Sequence, residues 1–150
     1  MRAMKKETTI LLAEDYDDDV ALLRRAFQKA EVSGLRVVSN GDEAIEYLMG
    51  AGTYADREKY PFPGVMIIDM KMPRRSGLEV LQWVRQREPI KRLPVVVLTS
   101  SQSIRDVNEA HHFGANSYLV KPTDFSELVR LVRAFADYWL GVSKLPSIPE

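Results

Sequence analysis

GVMIID (64–69) is a short apolar run ending in a carboxylate, and three other runs in the chain are built the same way. TTILLA (8–13) leads into Glu14 and Asp15, PVVVL (94–98) into Thr99, and NSYLV (116–120) into Lys121 and Pro122. Short runs rich in Val and Ile read as buried strands of a parallel sheet. In open α/β sheets, ligands bind in the crevice outside the carboxyl ends of the strands. The carboxylates of Glu14, Asp15 and Asp69, the Thr99 hydroxyl and the Lys121 ammonium are therefore expected to share one site.

Helical segments separate these runs. DDVALLRRAFQKAE follows the first, with Asp17 or Asp18 as its cap and Val20, Leu23, Ala26 and Phe27 on one face. LRVVSN (35–40) reads as a second, more exposed strand. Gly41-Asp42 then starts a helix turning Ala44, Ile45, Leu48 and Met49 inward. Residues 50–63 are the least regular internal stretch and read as a surface loop, with or without an extension of the preceding helix. Gly77 opens a helix that buries Leu78, Leu81 and Val84 and is stopped by Pro89. Ser103 is the expected cap of IRDVNEAHHF, which Gly114 ends. Thr123 or Asp124 starts FSELVRLVRAFADYWL (125–140). Strand and helix alternate five times, which favours an α/β doubly wound parallel sheet with right-handed crossovers. The most apolar strands, the first, third and fourth, belong at the centre, and the second and fifth at the edges. The expected order is 2-1-3-4-5.

At 150 residues the chain is expected to be one domain, with a core over about 8–140 and a tail at 141–150. A zero formal net charge gives no general attraction to nucleic acid or an anionic membrane. There is no cysteine, so disulfides and thiolate metal sites are excluded. MRAMKKETT lacks the apolar stretch of a signal peptide, and no apolar run is long enough to span a bilayer. A cytoplasmic protein, with neither nucleic acid nor membrane as partner, is the expectation.

Clustered carboxylates repel one another, and a hard divalent cation relieves the repulsion. Glu14 and Asp15 fit as holders of Mg²⁺, and Asp69 as both ligand and reactive group. A carboxylate can attack phosphorus to give an aspartyl-phosphate. Charge on the phosphoryl oxygens then calls for a cation and fixed donors, which Lys121, Thr99 and backbone N–H groups near Met70 and Ser100 would supply. Taken singly, Asp69 reads as a turn former, Thr99 as a β-branched strand residue, Lys121 as a solvated lysine and Glu14-Asp15 as a helix cap. The combination at four strand ends is what favours the chemical reading.

These residues resemble the receiver domain of two-component response regulators. The resemblance rests on ED (14–15), IIDMKMPRRSG (67–77), VVVLTS (95–100) and GANSYLVKP (114–122), and covers residues 8 to about 140. It implies a flavodoxin-like (βα)5 fold with the same strand order. It implies that Asp69 takes phosphate from a histidine kinase and that Glu14, Asp15, Asp69 and the backbone carbonyl of Lys71 hold Mg²⁺. Lys121 is then the phosphoryl partner, Thr99 and Tyr118 form the switch, and the Lys121–Pro122 bond is expected to be cis. Such a protein is a phosphoacceptor in signalling rather than an enzyme, acting through a downstream phosphotransfer or effector protein. Two positions depart from the commonest pattern. Glu14 replaces Asp, so its metal contact is open to mediation by water. Lys71 either pairs with Glu14, leans toward the phosphoryl group, or is solvated. A Mg²⁺-dependent aspartyl-phosphate phosphatase is disfavoured, because Lys71 stands where such enzymes carry a second acid. A receiver-like binding module that is never phosphorylated remains the other alternative.

The loop 52–63 and DYWLGVSKLP (137–146) resemble the small regulators that serve bacterial phytochrome kinases. Phe135, Tyr138, Trp139 and Leu140 near the end of the last helix suit a contact surface. With the switching surface that the resemblance puts on the fourth helix, fifth strand and fifth helix, they suggest a homodimer. His111-His112 suits a helix C-terminus better than a metal. Arg74-Arg75 is either a kinase contact or solvated.

Overall fold

In the computed structural model, which describes residues 7–148, the apolar runs form the five strands of one parallel sheet. They are β1 (Ile10–Ala13), β2 (Leu35–Val38), β3 (Val65–Ile68), β4 (Val95–Thr99) and β5 (Ser117–Val120). The helices between and after them are α1 (Asp17–Lys29), α2 (Gly41–Met49), α3 (Gly77–Arg85), α4 (Ile104–His112) and α5 (Phe125–Ala136). The order β2-β1-β3-β4-β5 is the one read from strand polarity. Every residue of β1, β3 and β4 is buried, whereas β5 is half-buried and β2 mixed. Register pairs Ala13 with Ile68, Ile68 with Val97, and Thr99 with Val120. The residues that follow, Glu14, Asp69 and Lys121, therefore emerge along one edge.

Successive strand residues point to opposite faces, so the sheet makes two cores. Leu11, Met66, Val95 and Val97 pack with Leu48, Leu81 and Val84 of α2 and α3. Ile10, Leu12, Ile67 and Val96 pack with Phe27 of α1 and with Leu128, Val132 and Phe135 of α5. No helix among the described residues is long and apolar enough to cross a membrane.

Several local expectations are corrected. Neither Asp17 nor Asp18 caps α1. Tyr16 is the N-cap residue, and its backbone N–H donates to Glu14 Oε2 at 3.2 Å. Met49 is exposed, and Tyr47 takes the inward position because its hydroxyl reaches the Pro61 carbonyl at 2.9 Å. Leu78 is only half-buried, and Val80 joins Leu81 and Val84 in the core. Ser103 is the N-cap residue of α4 but makes no side-chain cap bond; its N–H donates to Ser101 Oγ. Asp124, rather than Thr123, caps α5 by accepting from Ser126 N–H. The cis X–Pro bond is Glu88–Pro89, and Lys121–Pro122 is trans. The two isomers differ by only about 0.5–1 kcal/mol, so context decides.

Residues 50–63 contain one 3-10 turn, Gly52–Tyr54, and do not extend α2. Tyr47, Tyr54 and Tyr60 pack there in tilted and edge-to-face pairs at 4.9–6.1 Å between ring centroids. Arg57 donates to the carbonyls of Tyr47 and Leu48, closing the end of α2. Beyond Ala136 the last helix continues as a π-helix over Asp137–Val142. The tail then crosses beneath the sheet. Leu145 lies against Gly64 at the start of β3, and Ile148 packs on the core formed by α2 and α3.

Candidate functional site

The strand ends converge on the Lys121 ammonium. Its three N–H donors go to Glu14 Oε1, to Asp19 Oδ2 at 2.7 Å and to Asp69 Oδ2 at 2.7 Å. These acceptors come from the end of β1, the first turn of α1 and the end of β3. Glu14 is 2% exposed, Asp69 9% and Thr99 3%, so a strongly polar cluster sits at the edge of the core. The second oxygen of Asp69 accepts from the Lys71 backbone N–H at 3.1 Å. A cleft of about 390 Å³ opens over the cluster, lined by Asp15, Lys71, Thr99 and Ser101 among others.

One ammonium cannot neutralise three carboxylates in a buried place, and the burden divides unevenly. Burial pushes Glu14 up to about 7, against the pull of Lys121 and with added repulsion from Asp69. Burial also raises Asp69, but the Lys121 ammonium, the Lys71 N–H and the bond with Glu14 outweigh it and hold its carboxyl below the usual range. Burial lowers Lys121, but its bonds with Asp19, Asp69 and Glu14 overcome this and raise it. Asp69 thus keeps its charge, while Glu14 takes up a proton readily.

The loop after Asp69 is fixed by backbone packing. Ser76 and Glu79 form a capping box at the start of α3. A Cβ on Gly77 would stand 2.2 Å from the Asp69 carbonyl oxygen. Arg75 pairs with Asp42 at 2.8 Å, and its carbonyl rests on Gly41 so closely that a Cβ there would approach it to 2.3 Å. Arg75 is therefore engaged within the molecule rather than simply solvated.

The structure gathers Glu14, Asp69, Thr99 and Lys121 and leaves Asp15 exposed at the cleft. Among the described residues, no three acidic or histidine side chains form a ready cation cluster; Lys121 stands between the carboxylates instead. Lys71 makes no ion pair with Glu14, whose cationic partner is Lys121, and its side chain is exposed. Tyr118 is half-buried, and its hydroxyl donates to the Ser101 carbonyl at 2.9 Å, tying β5 to the loop before α4. Of the residues expected at a contact surface, Phe135 is buried in the core and Trp139 packs against it. Tyr138 and Leu140 remain exposed. Sequence reading missed Asp19. The signal was its place one turn beyond Asp15, at the position of a helix from which a side chain can reach back.

Residues 10–133 match the model of the response regulator receiver domain. The chain belongs to this family. The receiver is 35% identical over 141 residues to the "Probable methanogenesis regulatory protein FilR2" of Methanothrix harundinacea, covering 91% of this chain and 86% of that one. The solved response regulator RPA3017 in red light signalling of R. palustris superposes with a TM-score of 0.89 at 36% identity, covering 93% and 99% of the two chains. The phosphorylated cyanobacterial phytochrome response regulator RcpA gives a TM-score of 0.86 at 31% identity, covering 95% and 100%. The receiver is therefore similar to phytochrome-associated response regulators in both sequence and fold.

Proposed function

We propose that the receiver takes a phosphoryl group from a histidine kinase onto Asp69, with Mg²⁺ in the same cleft, and passes a conformational change to a partner. The observation that carries this reading is the charge arrangement at Asp69. Its carboxylate stays ionised at a cleft mouth, with the Lys121 ammonium 2.7 Å from one oxygen and the Lys71 N–H on the other.

The donor set fits a hard cation. All its groups are oxygens, and three carboxylates share the one Lys121 ammonium. Glu14, Asp15, Asp69 and the Lys71 carbonyl would hold Mg²⁺, which would draw off charge from phosphoryl oxygens. The protein's own part is separate. An Asp69 oxygen attacks phosphorus, the O–P bond forms as the P–N bond of phosphohistidine breaks, and the electron pair leaves on the imidazole nitrogen. Lys121 neutralises the transferred oxygens. Thr99, buried at the end of β4, lines the same cleft, and its hydroxyl would be drawn toward them. Any movement there bears on Ser101, to which Tyr118 is bonded, so the change is carried toward α4 and β5.

A phytochrome-type kinase is the upstream partner favoured by the similarity to the red-light and phytochrome regulators. A homodimer or effector contact along α4, β5 and α5 fits the 71% exposure of Ile104 at the start of α4; Tyr138, beyond the end of α5, is a separate exposed aromatic at 51%. Sedimentation should show a larger species after phosphorylation; a monomer in both states at tens of micromolar refutes the dimer.

Intact mass after incubation with a small phosphodonor and Mg²⁺ tests the central reading. The expected result is an acid-stable, base-labile adduct that needs Mg²⁺ and is lost in Asp69→Asn. Absence of any adduct, even with a candidate kinase, favours a binding module that is never phosphorylated.

A further inference from the structure

The third carboxylate on Lys121 has no part in the chemistry above. Asp19 lies in the first turn of α1 with Asp17 and Asp18, where acidic side chains commonly complement the helix dipole. Asp19 does something more specific. An acid at its position usually reaches back to the N–H of the N-cap residue, but that N–H, on Tyr16, is already taken by Glu14 Oε2. Asp19 instead turns across the cleft to Lys121, at 2.7 Å. Its side chain is 32% exposed, while that of Lys121 is 15% exposed.

We propose that Asp19 is a positioning residue that keeps Lys121 at the site while a divalent cation takes over Glu14 and Asp69. The inference rests on the Mg²⁺ reading given above. Glu14 and Asp69 are the carboxylates shared between ammonium and cation. For the cation to enter, Lys121 must loosen its hold on both, and the ammonium then needs a partner that the cation does not claim. Asp19 is that partner, because it approaches from α1 and not from a strand end. It leaves the ammonium close enough to meet a phosphoryl group later. Without Asp19, all the Lys121 donors fall to Glu14 and Asp69, and the ammonium competes directly with the cation.

Calorimetric titration of MgCl₂ into the full chain, with no phosphodonor present, tests the inference. In Asp19→Asn the Mg²⁺ dissociation constant is expected to rise about five- to tenfold, a size consistent with one nearby charge in a partly screened site. Asp17→Asn, an exposed acid in the same turn, should change it less than about twofold. In a Lys121→Met background the Asp19→Asn effect should shrink to that of Asp17→Asn, since the residue acts through the ammonium. Equal effects of Asp19→Asn and Asp17→Asn in the otherwise unaltered protein overturn the role of Asp19 and leave the Mg²⁺ site standing. A wild-type protein that binds no Mg²⁺ at millimolar concentration overturns both.

Discussion

Glu14→Gln should make the Mg²⁺-free protein less sensitive to pH between about 4.5 and 7. Burial raises the Glu14 carboxyl from its ordinary 4.5 to about 7 in the folded state. A folded state that holds a proton more tightly than the unfolded state is favoured at low pH. This part of the stability is fully present below 4.5 and is lost as pH rises toward 7. At about 1.4 kcal/mol per pKa unit, the loss is about 3 kcal/mol, or roughly 1–2 M in urea midpoint. The neighbouring groups do not blur this window. Asp69 is shifted down from 3.8, so its linkage lies at lower pH, and Lys121 is shifted up from 10.5, so its linkage lies at higher pH. Urea unfolding in EDTA at several pH values, for wild type and Glu14→Gln, isolates the effect, because the two proteins differ at that one carboxyl. Wild type should lose stability relative to the variant as pH rises. Saturating Mg²⁺ should restore it by binding the ionised folded state. Parallel pH curves for the two proteins would refute the reasoning.

Two further substitutions probe the frame around the site. Gly77→Ala drives a methyl group to 2.2 Å from the Asp69 carbonyl. It should cost about 1–3 kcal/mol and slow phosphoryl uptake in the intact-mass assay; a variant unchanged in thermal midpoint contradicts this. Arg85 donates to the carbonyls of Gly114, Lys91 and Leu93 and to Asn116 Oδ1, stitching α3 to the segments that lead into β4 and β5. Arg85→Met strands these acceptors and should cost about 3 kcal/mol in urea unfolding, whereas a loss below about 1 kcal/mol would show that water replaces the guanidinium.

The strand order was readable because β1 and β3 are wholly apolar and β4 is apolar up to Thr99, and such runs have few places to go except the middle of a parallel sheet. Asp69, Thr99 and Lys121 were readable for a related reason. Polar residues that directly end buried strands have their location fixed by the strand itself. What lay beyond reach depended on choices between near-equal neighbours. Tyr47 and Met49 both suit an apolar face, and the Pro61 carbonyl, fourteen residues downstream of Tyr47, decided between them. Asp17, Asp18 and Asp19 are identical in type, and only the direction of α1 against β5 singles out the third. Phe135 looked like a surface aromatic because its partners, on α1 and the sheet, are distant in sequence.

The path of the tail has a practical consequence for handling the protein. Residues 143–148 pass from the α5 side to the α2–α3 side at the end of the sheet where β3 and β4 begin. Asp69 lies at the other end of β3, a strand's length away, about 13 Å or more. A fluorophore or surface linker attached at the exposed Ser147 would therefore stand clear of the cleft and leave it open to a docking kinase. The same attachment would pull on a segment pinned beneath the sheet, so Ser147, whose carbonyl meets Arg92 at 3.4 Å, is a natural anchor for force measurements along the strand axis.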